Sequence, residues 1–203
     1  MNLANELYRK ALHFLLILIP IFFCYLGKWK TLIIIAPIAL IIISLDYMRR
    51  SNSKIQEIFL KMFRHILRPH EITTEKFCGA SAVMLGACIN FFFFKKEIAV
   101  ISFVILVISD ALSAIVGKAI PSKPFFEKTC AGTLAFFTSA LAILIILGLN
   151  FHVSFWFYFF GIFSVACVTM VEARPSLLDI DDNLTIPLTF SCLMTGFAFM
   201  WGF

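Results

Sequence analysis

The stretch IAVISFVILVISDALSAIVGK, residues 98–118, holds a single ionisable side chain, Asp110, between Ile98 and Gly117. A run this long and apolar fits the ~17 to 25 residues of a bilayer-crossing helix. Six more apolar runs lie around it: 11–27 with His13 inside, 31–45, 77–94, 129–151, 153–171 and 183–203. The run 31–45 is short and carries Pro37, which makes it the weakest of the seven, with Lys30 and Asp46 expected to extend it by reaching toward headgroups. Of 203 residues, 61% are apolar and 14% charged, against roughly 25% charged in soluble domains. The expected fold is an all-α polytopic membrane protein with about seven transmembrane helices. No repeat, low-complexity tract or linker divides the chain, so residues 1–203 are expected to form a single integral membrane domain.

Arg9 and Lys10 precede the first run as they would in a secretory signal, but the run is long for one and no small-x-small motif closes it. The segment is therefore expected to remain as a span. The six cysteines, Cys24, Cys78, Cys88, Cys130, Cys167 and Cys192, stand singly without a CxxC pair and read as small packing residues. The net charge of +5 comes from residues that flank the spans, not from a patch interleaved with aromatics. Anionic membrane lipids are thus the expected partner, and nucleic acid is not.

With a cytoplasmic N-terminus, seven spans place the segments 46–76, 118–128 and 172–182 on one side of the membrane. That side then holds Arg9, Lys10, Arg49, Arg50, Lys54, Lys61, Arg64, Arg68, Lys76, Lys118, Lys123, Lys128 and Arg174, while the other holds Lys28, Lys30, Lys95 and Lys96. The positive-inside rule favours this orientation, so a chain in the inner (plasma) membrane would have an external C-terminus. Within 46–76, Ile55, Ile58, Phe59, Met62, Phe63 and Ile66 recur at helical spacing opposite Lys54, Lys61, Arg64 and Arg68. They predict one basic amphipathic helix lying in the inner interface, with His65 and His70 carried along.

The polar residues collect on the same side. Glu6, Arg9, Lys10 and His13 share one helical face entering the first span. An intrahelical ion pair with topology charges would explain most of them, but an ionisable His13 inside a span calls for a polar neighbour. Asp110, Ala114, Gly117 and Lys118 share a face at the end of the fourth long apolar run. There Asp110 suits Mg2+ binding or proton acceptance, Gly117 would let a phosphate reach the backbone, and a structural ion pair is the competing account. Residues 123–133, KPFFEKTCAGT, lead into the next run, where Lys128, Thr129 and Gly132 surround a helix start suited to phosphate; Thr129 fits an ordinary N-cap equally well. Glu172, Asp179, Asp181 and Asp182, with Asn183, crowd four carboxylates into a short loop. Such crowding near negative lipid calls for a hard cation, although a solvated acidic turn would look the same.

Taken in order, Glu6-x2-Arg9-Lys10-x2-His13, Ser109-Asp110-x2-Ser113-Ala114-x2-Gly117-Lys118, Lys128-Thr129-x2-Gly132-Thr133, and Glu172 followed by Asp181-Asp182-Asn183-Leu184-x2-Pro187 resemble the family of dolichol kinase, phytol kinase and the CTP-dependent diacylglycerol kinases. The resemblance runs from Glu6 to Pro187. It departs at Ser109, where the family commonly has glycine, and at Ala131, where it has glutamate; Glu127 is the one nearby replacement. Bacterial chains of this kind are often labelled phosphatidate cytidylyltransferases, but the Pro-Gly-His-Gly-Gly-like segment of the true enzymes is missing.

The resemblance implies a membrane lipid kinase that moves a phosphoryl group from CTP to diacylglycerol or a polyprenol or isoprenoid alcohol. Asp110, Asp181 and Asp182 would bind Mg2+, with Asp110 also a base. Arg9, Lys10, Lys118 and Lys128 would neutralise phosphate oxygens, and Glu6 and Glu172 would orient those cations. His13 and Asn183 would hydrogen-bond acceptor or nucleotide. Cytidylyl transfer to a lipid phosphate keeps the same site. A small transporter with Asp110 and His13 in a polar path ranks third, since transporters bind at the bilayer midplane and often repeat their halves.

Overall fold

The computed structural model describes residues 10–63, 77–177 and 180–202. Among them the chain forms eight helices: α1 Lys10–Leu26, α2 Lys28–Ser51, α3 Ser53–Phe63, α4 Gly79–Phe93, α5 Lys96–Ala119, α6 Cys130–Phe151, α7 Phe155–Ala173 and α8 Asp182–Trp201. The fold is all-α apart from a two-residue antiparallel ladder, β1 Pro124–Phe125 with β2 Lys128–Thr129, in the segment read from sequence as a plain loop. Five helices, α2 and α5 to α8, are long and apolar enough to cross a membrane, which makes this an integral membrane protein. Helices α1 and α4 are apolar but shorter.

The run judged weakest, 31–45, belongs to one of the longest helices. Lys28, Lys30 and the segment from Asp46 to Ser51 all join α2, and Pro37 is accommodated on an exposed face. Asp46 does not reach for headgroups; it is buried and paired with Arg49.

The breaks between helices have local causes. Gly27, at φ +80°, lets α1 end and α2 begin without a loop. Asn52 leaves the helical region, and its side-chain oxygen accepts from the Lys54 and Ile55 backbone N–H groups, so the expected amphipathic segment starts as a new helix. Its continuation through Arg64, His65, Ile66, Arg68 and His70 lies outside the described residues. His152 takes the left-handed conformation that ends α6, and the Ser154 hydroxyl caps α7 by accepting from Phe157 N.

Helix α5 is the axis of the bundle. Ile98, Ala99, Ile101, Phe103, Ile105, Leu106 and Val107 are all buried, and α5 packs against α1, α4, α6 and α8. Around it α1 packs on α2, α2 on α4, α4 on α8, α8 on α7 and α7 on α6. This arc leaves α1 and α6 at its two ends, where they do not pack extensively among the described residues. The outer faces are apolar: Ile33, Ile34, Ile38, Leu40 and Ile41 of α2 point outward, where hydrocarbon suits them and water does not.

Near the end of α4 and the beginning of α5, three buried polar residues, Asn90, Ser102 and Ser191, join α4, α5 and α8. Asn90 donates to Ala99 O at 2.8 Å, and Ser191 donates to Asn90 Oδ1 at 2.7 Å, with Ser102 Oγ within hydrogen-bond distance of Ser191 Oγ at 2.9 Å. Apolar periodicity concealed this tie, because each of its members is a single small polar residue in an apolar run. The six cysteines are free, and of these Cys78 alone is buried while Cys130 and Cys192 are exposed, so the packing role read for them from sequence does not extend to all.

Candidate functional site

One end of the bundle gathers charge from four helices. Lys10 begins α1 and donates to Asp110 of α5, both side chains being almost wholly buried. Burial of either charge alone in this setting would be prohibitive, so each requires the other. Asp110 follows a π-helical turn, Ile105–Ser109, which interrupts the regular helix and resets the direction of the side chains after it. His13 Nε2 stands 3.5 Å from the Leu106 carbonyl oxygen of that turn. Lys10 and Lys128 are ammonium groups whose fields act on Asp110, and His13 lies close enough to do the same when protonated.

A second pair lies beside the first. Lys128 Nζ is 2.9 Å from Glu172 Oε1, and the same oxygen accepts from Ser113 Oγ at 2.9 Å, so α5, α7 and the β2 strand that leads into α6 meet at one carboxylate. Burial alone would lower the Lys128 pKa, but the charges of Glu172, Asp110 and Asp182 outweigh it and hold the ammonium above the ordinary lysine value. Lys128 is thus charged at neutral pH and is the cation common to three carboxylates. Its side chain is 27% exposed, while Glu172 is fully buried. Lys128 is therefore the member of this pair that reaches the surface.

Several buried oxygens here have no hydrogen-bond partner among the described residues: Glu172 Oε2, Ser109 Oγ and Thr133 Oγ1. Unmet acceptors and hydroxyls next to paired charges are what a polar ligand would satisfy.

Some residues singled out in the sequence serve a different purpose. A Cβ at Gly117 would lie 2.9 Å from Thr129 Oγ1 and 3.4 Å from Gly132 Cα, and one at Gly132 would lie 2.9 Å from the Ser113 carbonyl oxygen. The two glycines let α5 and α6 touch, and the backbone approach expected of Gly117 for phosphate is taken up by that packing. Thr129 is an N-cap: its Oγ1 accepts from Gly132 N at 3.2 Å. Cys130 N donates to Lys123 O and Ala131 N to Ser122 Oγ, so the first amides of α6 expected to cradle phosphate already have partners. Lys118 is exposed at the end of α5.

Asp181 caps α8, its Oδ1 accepting from Asn183 N and from Asn183 Nδ2 at 2.7 Å, which commits Asn183 to the cap as well. Asp182 is buried nearby. Among the described residues no three histidine, cysteine, aspartate or glutamate side chains converge as a metal cluster, so Asp110, Asp181 and Asp182 are not a ready-made cage. Glu127 is exposed, and its side chain accepts from Ser176. Glu6, Arg9 and Asp179 lie outside the described residues. Sequence reasoning assigned Glu172 an orienting role but missed Ser113 as its donor; a serine three residues after Asp110 was the available signal.

No protein-family model and no solved structure matches the chain. A relative, uncharacterized protein RP860 of Rickettsia prowazekii (strain Madrid E), is 35% identical over an alignment of 192 residues that covers 92% of this chain and 91% of that protein. Agreement over nearly the whole of both chains places this membrane protein in the same family as RP860.

Proposed function

We propose that this protein is a membrane lipid kinase that transfers a phosphoryl group from a nucleoside triphosphate, CTP by resemblance, to the hydroxyl of diacylglycerol or of a polyprenol or isoprenoid alcohol. In this reading α1 and α4 also cross the inner (plasma) membrane, giving seven spans. Helix α3 lies in the cytoplasmic interface, the N-terminus and the site face the cytoplasm, and the C-terminus is external.

The observation that supports it best is the pair of ion pairs, Lys10–Asp110 and Lys128–Glu172, set side by side where α1, α5, α6 and α7 meet. Phosphoryl transfer needs mainly positioning and charge neutralisation, and two ammonium groups with two carboxylates beside the cytosol supply both. The lipid alcohol enters laterally at the seam between α1 and α6, while the triphosphate docks from the exposed side of Lys128. Lys10 turns from Asp110 to the phosphate oxygens, helped by Lys128 and Lys118 and, by resemblance, Arg9. Released from Lys10, Asp110 takes the proton of the acceptor hydroxyl. The hydroxyl oxygen bonds to the γ-phosphorus as the bond to the β-phosphate oxygen breaks, and CDP leaves with both electrons of that bond.

Mg2+, bound to the triphosphate, supplies further neutralisation of the phosphates. The buried unpartnered oxygen of Glu172 and the nearby Asp182 fit a cation held by one or two carboxylates plus phosphates better than a full protein cage would.

The test is transfer from γ-labelled CTP or ATP, with Mg2+, by purified protein to diacylglycerol, undecaprenol, phytol and farnesol, with Asp110→Asn alongside. Labelled lipid phosphate that vanishes in the variant is the expected result and names the acceptor. Folded protein that labels none of these acceptors would overturn the kinase, and pyrophosphate release with phosphatidate would point instead to cytidylyl transfer.

A further inference from the structure

A second set of charges lies apart from the α1–α5–α6–α7 cluster, at the elbow where α2 passes into α3 and faces the start of α4. Asp46 is buried there, with Arg49 Nε 2.5 Å from its Oδ1 and Cys78 N donating to its Oδ2 at 2.8 Å. These donors, with Ser81, occupy the carboxylate. Arg50 comes no nearer than 3.9 Å, with its Nη2 facing Asp46 Oδ2. Its Nε and Nη2 are buried and make no hydrogen bond among the described residues. The guanidinium is also fixed in place, 4.0 Å from the Phe77 ring centroid, and Arg49 lies over Phe59 at 4.9 Å.

Among the described residues the local charge is unbalanced. The described charged groups of the elbow are Asp46 and Glu57 against Arg49, Arg50, Lys54 and Lys61, with Glu57, Lys54 and Lys61 exposed on α3. A held guanidinium fork whose Nε and Nη2 are buried with no hydrogen-bond acceptor among the described residues, on a side chain still 21% exposed, calls for a planar or multi-oxygen anion, and the phosphate ester is the form abundant at a membrane interface.

We infer that the α2–α3 elbow is a phosphate-ester binding site, held by the Arg50 fork with Arg49 beside it, for the headgroup of an anionic phospholipid or a free phosphate. The site is separate from the transfer chemistry and stands whether or not the kinase reading does. It would fasten α3 to the bilayer surface through one retained lipid.

Native mass spectrometry of the full chain in detergent, titrated with phosphatidylglycerol, phosphatidylcholine or inorganic phosphate, tests it. Wild type is expected to retain phosphatidylglycerol over phosphatidylcholine, and Arg50→Gln to lose about tenfold in that retention, the scale of one charge-assisted hydrogen bond. Arg50→Lys, which keeps the charge but lacks the fork, should fall between them, and Lys96→Gln at the opposite end should match wild type. Displacement of the lipid by millimolar inorganic phosphate would assign the site to phosphate in general, and resistance to it would assign the lipid headgroup. Should Arg50→Gln fail to fold, the wild-type melting temperature decides: a rise with phosphatidylglycerol that phosphatidylcholine does not produce supports the site. Equal retention of the two lipids by wild type, or undiminished phosphatidylglycerol retention by folded Arg50→Gln, would overturn it.

Discussion

Asp46 and Asp110 are both buried carboxylates near the same end of a long apolar helix, yet their surroundings differ in kind. Asp46 in α2 is met by its own helix, through Arg49 one turn on, and by the backbone N–H of Cys78. Asp110 in α5 is met by Lys10, a side chain one hundred residues away in sequence, and by the fields of Lys128 and His13. A carboxylate held by its own helix and by backbone is a fixed strut. One held by a flexible lysine on another helix can exchange that partner for a ligand. In the proposed kinase Asp46 would therefore be an anchor and Asp110 the reactive carboxylate.

The comparison breaks most sharply at turnover. Asp110→Asn should reduce phosphoryl transfer by about 10²- to 10⁴-fold, the range for removing a general base, while the purified protein keeps its elution volume. If Asp46→Asn abolished transfer to the same degree without loss of folded protein, the division between strut and chemistry would fail. For Asp46→Ala the expected damage is to stability instead, roughly 3–5 kcal/mol for breaking one side of a buried ion pair, read from thermal unfolding in detergent.

A smaller effect sharpens the α5–α6 side of the comparison. Gly132→Ala puts a methyl group 2.9 Å from the Ser113 carbonyl oxygen. Overpacking of this kind costs about 1–3 kcal/mol and should lower the melting temperature. A melting temperature equal to wild type would mean that α5 and α6 separate more easily than their contact implies.

The smallest effect is on pH dependence. Because the pKa of Lys128 is raised on folding, its pairing contributes fully to stability below the unfolded lysine value of about 10.4 and is lost as pH rises through the folded value. Between pH 7 and 9 the stability difference between wild type and Lys128→Met should therefore stay constant, and it should shrink only in strong alkali. A difference that shrank near pH 8 would contradict the raised value.

Much of this was legible beforehand because the bilayer makes burial of backbone polar groups so costly that length and apolarity alone mark helices. The apolar runs around 98–117, 129–151, 153–171 and 183–203 correspond to α5, α6, α7 and α8, with ends shifted by a few residues. The run 31–45 was underestimated, since helix ends rich in lysine, arginine and aspartate read as loop until Asp46 and Arg49 are seen to pair. Lys10, Asp110, Lys128 and Glu172 were legible as candidates because charge near the membrane is rare enough to stand out.

Their partners were not legible. That Lys10 meets Asp110, and that Ser113 and Lys128 share one oxygen of Glu172, depends on which helices lie side by side around α5. Gly117, Gly132 and Thr129 show the converse: a phosphate-cradle pattern and a tight helix contact use the same small residues, and only packing distinguishes them. That this chain is a helical membrane protein, and where its charges cluster, could be read from the residues alone, because hydrophobicity and charge act residue by residue. The tertiary structure decided which charges neutralise each other and which atoms remain without a partner, because pair energies in a low-dielectric interior depend on distances between helices that no local pattern encodes.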